Sequence, residues 1–239
     1  MITAASNSRI KRLVQLNQKS KLRRTEDVFL AEGVKMFLEA PREQLQEVYV
    51  SESFLEKCSC REHLEEVGYE VVSDSVFSKI SDTCTPQGVL CVLKQFHYNI
   101  EEMLRDKAPL FLLLENIQDP GNLGTMLRTG EGAGVSGIIM SRDTVDLYNP
   151  KVIRSTMGSI YRVPFYYADD FAAAVHQVQQ AGVSVYAAHL RGKNSYACQD
   201  YTKGTAFLIG NEGNGLREET AELADCYIRI PMEGKVESL

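Results

Sequence analysis

Short apolar runs alternate with amphipathic stretches along most of this chain. Runs that are apolar throughout predict strands covered on both faces. Apolar residues spaced by about one helical turn predict helices packed by one side. A first helix is predicted from a cap at Ser6 or Asn7 to about Gln18, with Ile10, Leu13, Val14 and Asn17 on one side. Then VFLAEG reads as strand, VKMFLEA as helix, LQEVYVS as strand and ESFLEK as helix or turn. EHLEEVG follows as helix, YEVVS as strand, DSVFSKIS as helix and GVLCVLKQ as strand. Residues 1–95 thus form a small α/β unit. Residues 96–107, within FHYNIEEMLRDKAP, are less regular and read as a linker with a short helix.

Residues 108–239 are more regular. Strand LFLLLE leads through a loop to a helix from about Asn122 to Gly132. Strand GIIMS, helix NPKVIRSTMGS, strand VPFYY, helix DDFAAAVHQVQQAG and strand VSVYAAHL come next. After a polar stretch come strand TAFLIG, helix GLREETAELA and strand CYIRIPM. Apolar strands alternating with helices predict a parallel sheet with both faces covered. Ligands on such sheets sit beyond the carboxyl ends of the strands. Those ends are ENIQDPGN, HLRGKNS, GNEGNG and PMEGKVESL.

Composition narrows the class. The chain has 239 residues, 44% of them hydrophobic and 24% charged, as in an ordinary globular protein. No apolar run is long enough to span a bilayer, and the first residues lack the apolar core of a signal peptide. The expectation is a cytoplasmic protein with no membrane segment. Only Cys58 and Cys60 are close among the cysteines, and His63, His97, His176 and His189 show no metal spacing, so no metal is expected. The net charge of −6 hides a basic start: Arg9, Lys11, Arg12, Lys19, Lys21, Arg23 and Arg24 precede the first acid. Such an arm binds phosphates, or it is only the solvated face of a helix.

The glycine-rich stretch 116–141 poses the main question. A dinucleotide fingerprint needs G-x-G-x-x-G at the start of its helix. Gly130, Gly132 and Gly134 lack that spacing and fall late in the predicted helix, and Asp119 stands where a pyrophosphate would lie. No Walker lysine pattern exists either. Instead Asp119-Pro120-Gly121 forms a tight turn, Asn122 caps the helix, and Arg128 follows on its second turn. Arg128 is a site cation or one half of a surface salt bridge. FLIGNEGNGLREE repeats the logic: Asn211 and Glu212 stand at a strand end, and Gly213 and Gly215 allow close backbone approach. In IRIPMEGKVESL, Pro231 ends a strand, Gly234 opens a turn and Ser238 brings a hydroxyl.

These blocks, N-x-x-D-P-x-N-x-G-x-x-x-R, G-N-E-G-x-G-L and I-P-M-x-G-x-x-x-S-L, resemble in order the motifs of the SpoU/TrmH branch of the SPOUT RNA methyltransferases. The resemblance covers residues 108–239. FLAEGVKMFLEA and TPQGVLCVL more loosely resemble the small substrate-binding domain, of a ribosomal-protein-type α/β fold, that often precedes it. It implies a knotted (trefoil) parallel-sheet SPOUT domain, a smaller N-terminal α/β RNA-binding domain and a homodimer. It also implies 2′-O-methylation of an RNA ribose with S-adenosyl-L-methionine as donor. Carried over by position, Gly210, Ile230 and Leu239 become donor contacts, with Met232 and the strand end Ala188–Gly192 adding to the pocket. Arg128 orients a phosphate or stabilises the forming alkoxide. Glu212 anchors Arg128 or the motif loops, and Asn122 and Ser238 position the ribose or the loops. The family pattern continues past Ser-Leu into an Asn and a closing helix. This sequence stops at Leu239: either it is clipped, or the protein lacks the Asn that the resemblance gives to the donor and ribose site and the helix that it gives to the knot and dimer interface. Large-subunit rRNA is the expected substrate and tRNA the alternative. An RNA-binding or ribosome-associated protein without methyl transfer, and an unrelated nucleotide-binding enzyme, are the competing classes.

Overall fold

The structure is a computed structural model and describes residues 1–233. The chain divides into two compact units: Met1–Phe96 with Asp146–Tyr161, and His97–Val145 with the chain from Arg162 onward.

The first unit begins with α1 (Ser8–Gln18) and α2 (Ser20–Glu26). It continues with β1 (Val28–Glu32), α3 (Val34–Leu38), β2 (Leu45–Ser51), α4 (Glu52–Lys57), α5 (Arg61–Val67), β3 (Glu70–Val72), α6 (Asp74–Ile80) and β4 (Val89–Lys94). Asn7 caps α1, its side chain accepting from the Arg9 N–H at 2.9 Å. The apolar stripe Ile10, Leu13 and Leu16 is buried against Val76, Phe77 and Ile80 of α6 and the sheet behind them. The sheet order is β1-β4-β2-β3, with β4 antiparallel to both neighbours and β2 parallel to β3. Helix α2 is absent from the sequence expectation, because SKLRRTE carries little apolar periodicity. It ends at Asp27 in the left-handed region, φ 56°.

The second unit contains α7 (Ile100–Met103), β5 (Leu110–Leu114), α8 (Pro120–Ala133) and β6 (Gly137–Ser141). Helix α9 (Pro150–Thr156), next along the chain, packs on β1 and is counted with the first unit. Then come β7 (Phe165–Ala168), α10 (Phe171–Gln180), β8 (Ser184–Ala188), β9 (Asn194–Ser195), β10 (Thr205–Ile209), α11 (Glu218–Ala221) and β11 (Cys226–Arg229). Among the described residues these strands form one sheet, ordered β7-β6-β5-β10-β8-β11-β9, with every pairing parallel. Its core joins Phe111, Leu113, Val185, Ala187, Ala206 and Leu208 of the strands to Ala174, Val175 and Val178 of α10. Each Phe, Leu or Val among them contributes roughly 1.5–3 kcal/mol when fully buried.

The supposed linker is part of this core. Ile100 and Met103 are buried in it, and a Cβ added to Gly137 would lie 2.7 Å from the Met103 sulfur. One glycine of α8 has a packing role. Gly130 is buried, and its missing side chain lets the helix approach Val135 and Leu112, which a Cβ would meet at 3.1 and 3.5 Å. The predicted helix GLREETAELA shrinks to the short α11. Its first residues stay outside the helix: Gly215 is left-handed, φ 69°, and Arg217 is extended, drawn into the strand-end network described next.

Candidate functional site

The sheet reverses its winding between β5 and β10: the chain moves outward through β6 and β7, returns to β8, and later fills the slot beside β5 with β10. A crevice for ligands is expected at such a switch, beyond the carboxyl ends of the strands. The segments leaving β5, β6, β10 and β8 lie along that edge and carry most of the expected site residues.

Glu212, just past β10, reaches the loop that follows β5. Its carboxylate accepts the N–H groups of Gln118 at 3.1 Å and Asp119 at 3.0 Å, and the Asn122 side-chain amide at 3.3 Å. Burial works against ionisation of Glu212. The Asp119 and Gln118 N–H groups and the Asn122 amide outweigh it and hold the carboxyl below the usual range. So Asn122 and Glu212 meet, and Glu212 anchors the first-motif loop. Asn122 does not cap α8, contrary to expectation. Asp119 does, accepting the Asn122 N–H at 2.8 Å, and the helix begins at Pro120. Proline suits a first helical position because its missing N–H would find no partner there.

Two residues outside the expected set hold these loops. Asn211 donates its side-chain amide to the Asn116 carbonyl at 2.8 Å, and its side-chain oxygen accepts the N–H groups of Gly213 and Asn214, both at 3.0 Å. Asn211 and Gly215 also exchange backbone hydrogen bonds, so the segment doubles back on itself. Gly210 must therefore be bare: a Cβ there would stand 2.2 Å from the Gly215 carbonyl carbon. Glu115, ending the LFLLLE run, is only 1% exposed. It accepts the Arg217 N–H at 2.8 Å, the Thr220 hydroxyl at 2.5 Å and the Arg217 guanidinium at 3.4 Å. Arg217 also pairs with Asp143, whose other partner is the Ser141 hydroxyl. Burial disfavours the Asp143 charge, but Ser141 and Arg217 prevail and its carboxyl sits below the usual range.

The expected donor positions Ala188, Gly210 and Ile230 lie at or just past the ends of three adjacent strands. Ala188 ends β8 and pairs in register with Ile228 of β11, while Ala187 pairs with Leu208 of β10. Gly210 and Ile230 each lie two residues beyond those partners, so they stand level with the first residues past β8. Ile230 is 45% and Leu190 57% exposed, and Ala188, Gly210 and Met232 are half-buried. An apolar, solvent-facing rim beside folded-back main chain fits the flat adenine and polar tail of a nucleoside such as S-adenosyl-L-methionine.

Other expected positions are not joined to this network. Arg128 is exposed on α8 and makes no hydrogen bond or ion pair among the described residues, so the salt-bridge alternative finds no partner there. Glu212 holds the loop instead of Arg128. Ser238 and Leu239 lie outside the described residues.

The basic arm is divided. Arg23 is buried, 3% exposed, and donates to the carbonyls of Leu16 at 2.6 Å and Asn17 at 3.1 Å and to Asp146 at 2.5 Å. As an RNA contact it is corrected to a packing residue. Arg12 is engaged by Glu26 and Glu47, each at 2.7 Å, and Arg9 by Glu70 at 3.1 Å. Lys11, Lys19, Lys21 and Arg24 are exposed. Among the described residues no group of His, Cys, Asp and Glu could hold a metal ion, and no helix is long and apolar enough to cross a membrane.

Known proteins share both units. Residues 109–239 match the SpoU rRNA Methylase family, and residues 7–91 match an MRM3-like substrate binding domain. The chain is 31% identical to the 23S rRNA (guanosine(2553)-2′-O)-methyltransferase RlmP of Bacillus subtilis, over all of this chain and 93% of that protein. A solved AdoMet-bound rRNA methyltransferase from Sinorhizobium meliloti is 30% identical, with a TM-score of 0.83 over 100% of this chain and 91% of that one. The SpoU methyltransferase AviRb of Streptomyces viridochromogenes, solved with AdoMet, reaches a TM-score of 0.87 at 24% identity over 98% and 92% of the two chains, a likeness of fold. With a family match over more than half its length and a full-length relative above 30% identity, this chain belongs to the SpoU rRNA methylase family.

Proposed function

We propose that this protein transfers a methyl group from S-adenosyl-L-methionine to a ribose 2′-hydroxyl of large-subunit ribosomal RNA, working as a homodimer with a knotted catalytic domain. The observation that carries the reading is the Glu212 bridge. It joins the first and second motif loops at the carboxyl edge of a parallel sheet, next to the donor positions Ala188, Gly210 and Ile230. The full-length relative RlmP is named for a guanosine 2′-O-methyltransferase of 23S rRNA. That name favours ribosomal RNA over tRNA.

The donor supplies an activated methyl group on a sulfonium. The chain's own work is alignment and charge. Main chain around Gly210 and the apolar rim at Ile230 hold the nucleoside, with Met232 and Leu239 completing the pocket. Asn122 and Ser238 orient the ribose or the loops around it. A ribose hydroxyl is a weak acid, so charge developing on its oxygen needs a nearby cation. Arg128 is exposed, permanently charged and uncommitted among the described residues, which suits it to a phosphate or to that oxygen. Lys11, Lys19, Lys21 and Arg24 attract the RNA backbone, and Arg12 and Arg23 stabilise the helices that carry them.

Calorimetric titration with S-adenosyl-L-methionine and, separately, with NAD tests the site. Saturable binding of the first and none of the second is expected. The reverse result would place the chain among dinucleotide enzymes despite its motifs.

A further inference from the structure

The segment after β8 contains a device that the motifs do not mark. It turns tightly: the His189 N–H donates to the Ile228 carbonyl at 3.0 Å, and the Gly192 N–H donates to the His189 carbonyl at 2.9 Å. Gly192 is pressed on β11, where a Cβ would lie 2.7 Å from the Ile228 carbonyl carbon. One end of the loop is thereby fixed to the strand that leads to Ile230. At the other side Arg191 reaches α11. Its Nη2 donates to both carboxylate oxygens of Glu218, at 2.5 and 2.6 Å.

Arg191 is oriented before it makes that pair. Its N–H donates to His189 Nδ1 at 3.1 Å, and its guanidinium carbon stands 5.8 Å from the centre of the Tyr227 ring. His189 stacks on the same ring, with centroids 5.0 Å apart and planes 28° apart. Both partners of the pair are more than half exposed. An exposed ion pair contributes little to folding, so such a built arrangement on the surface calls for another role. Leu190, between His189 and Arg191, is among the most exposed large apolar residues of the chain.

We propose that the Arg191–Glu218 pair is a strap that ties the β8 loop to α11, so that the loop bearing Leu190 stays closed over the donor site. Arg191 and Glu218 are positioning residues, and the proposal rests on the donor reading given above. Helix α11 is itself fixed from beneath by Glu115 through Arg217 and Thr220, so the strap has a firm anchor.

The test uses the full chain, with Arg191→Gln, Glu218→Gln and the charge-swapped double variant Arg191→Glu/Glu218→Arg. S-adenosyl-L-methionine affinity is measured by calorimetry, and KM for donor and RNA and kcat by methyl transfer. Each single variant should weaken donor affinity and raise the donor KM by about threefold to fivefold, the upper range for an exposed pair. The RNA KM and kcat should stay within about twofold, and the swapped variant should regain most of the affinity. Leu190→Ser should raise the donor KM while leaving the ion pair in place. Single variants with wild-type donor affinity would remove the strap alone. So would a fall in kcat at unchanged donor KM, or a swapped variant no better than the singles. A wild-type protein with no affinity for the donor would remove the donor reading and the strap with it.

Discussion

The basic arm and the strand-end edge both gather charge, and they use it in different ways. In the arm, Arg9, Arg12 and Arg23 are taken up by Glu70, by Glu26 and Glu47, and by Asp146 with two carbonyls. At the edge, Glu212 and Glu115 spend their carboxylates on main-chain N–H groups of other loops. Arg9 and Arg12 fasten side chain to side chain, and Arg23 adds two carbonyls of its neighbouring helix α1 to its ion pair. The edge's bonds set the path of the main chain, which in the proposed function is what holds the nucleoside donor. Counting charges in a sequence therefore exaggerates the arm and overlooks the edge.

The comparison predicts its largest effect at Glu115. Glu115→Ala leaves the Arg217 N–H and the Thr220 hydroxyl without their acceptor in a buried place, and should cost about 3 kcal/mol in urea unfolding. It should also weaken donor binding, because the segment from Gly210 to Arg217 loses its tether. Native stability in that variant would demote the network to decoration. Arg23→Ala follows, at about 2 kcal/mol, since two carbonyls and Asp146 lose a charged donor. A stability cost below about 0.5 kcal/mol would return Arg23 to the surface cations.

Glu212→Gln should cost about 1 kcal/mol at neutral pH, as the charge is lost and one of the two acceptor oxygens gives way to an NH2 donor facing an N–H group. The sign follows from the lowered carboxyl. A group whose pKa is depressed on folding stabilises the protein above its unfolded pKa, and loses that contribution as pH falls through the folded value. The gap between wild type and Glu212→Gln should thus be full near neutrality and close below the ordinary carboxylate range. A gap that widened in acid would contradict the assignment. The smallest change in stability is expected for Lys19, Lys21 and Arg24 replaced together by Gln, within about 0.5 kcal/mol. That triple variant should instead reduce the salt slope of RNA binding by about two, at about 0.7–0.9 per phosphate contact. An unchanged slope would leave the arm as a solvated helix face.

Most strand positions were legible because those strands of the second unit are apolar nearly throughout, and the motif blocks sit where such strands end; β9, the polar pair Asn194–Ser195, lies in the polar stretch and carries no such signal. What stayed hidden had a physical reason. Glu115 looked like the polar end of a strand, and its partners lie 102 and 105 residues away. Arg23 read as one more cation, since its partner Asp146 is 123 residues distant. Asn211 did carry a local signal: an Asn before glycines favours side-chain bonds to the next N–H groups, and those bonds form at Gly213 and Asn214. Ile100 and Met103 sit in a stretch with little other periodicity, although their spacing is that of a helix turned toward a core.

The most direct measurement is transfer of labelled methyl from S-adenosyl-L-methionine to purified ribosomal and transfer RNA, followed by mapping of 2′-O-methylated riboses. The account predicts label at a discrete ribose of large-subunit rRNA, with the rate falling at least about tenfold in Arg128→Ala while donor binding is kept. RNA that is bound but never labelled, or label that persists at the native rate without Arg128, would contradict it.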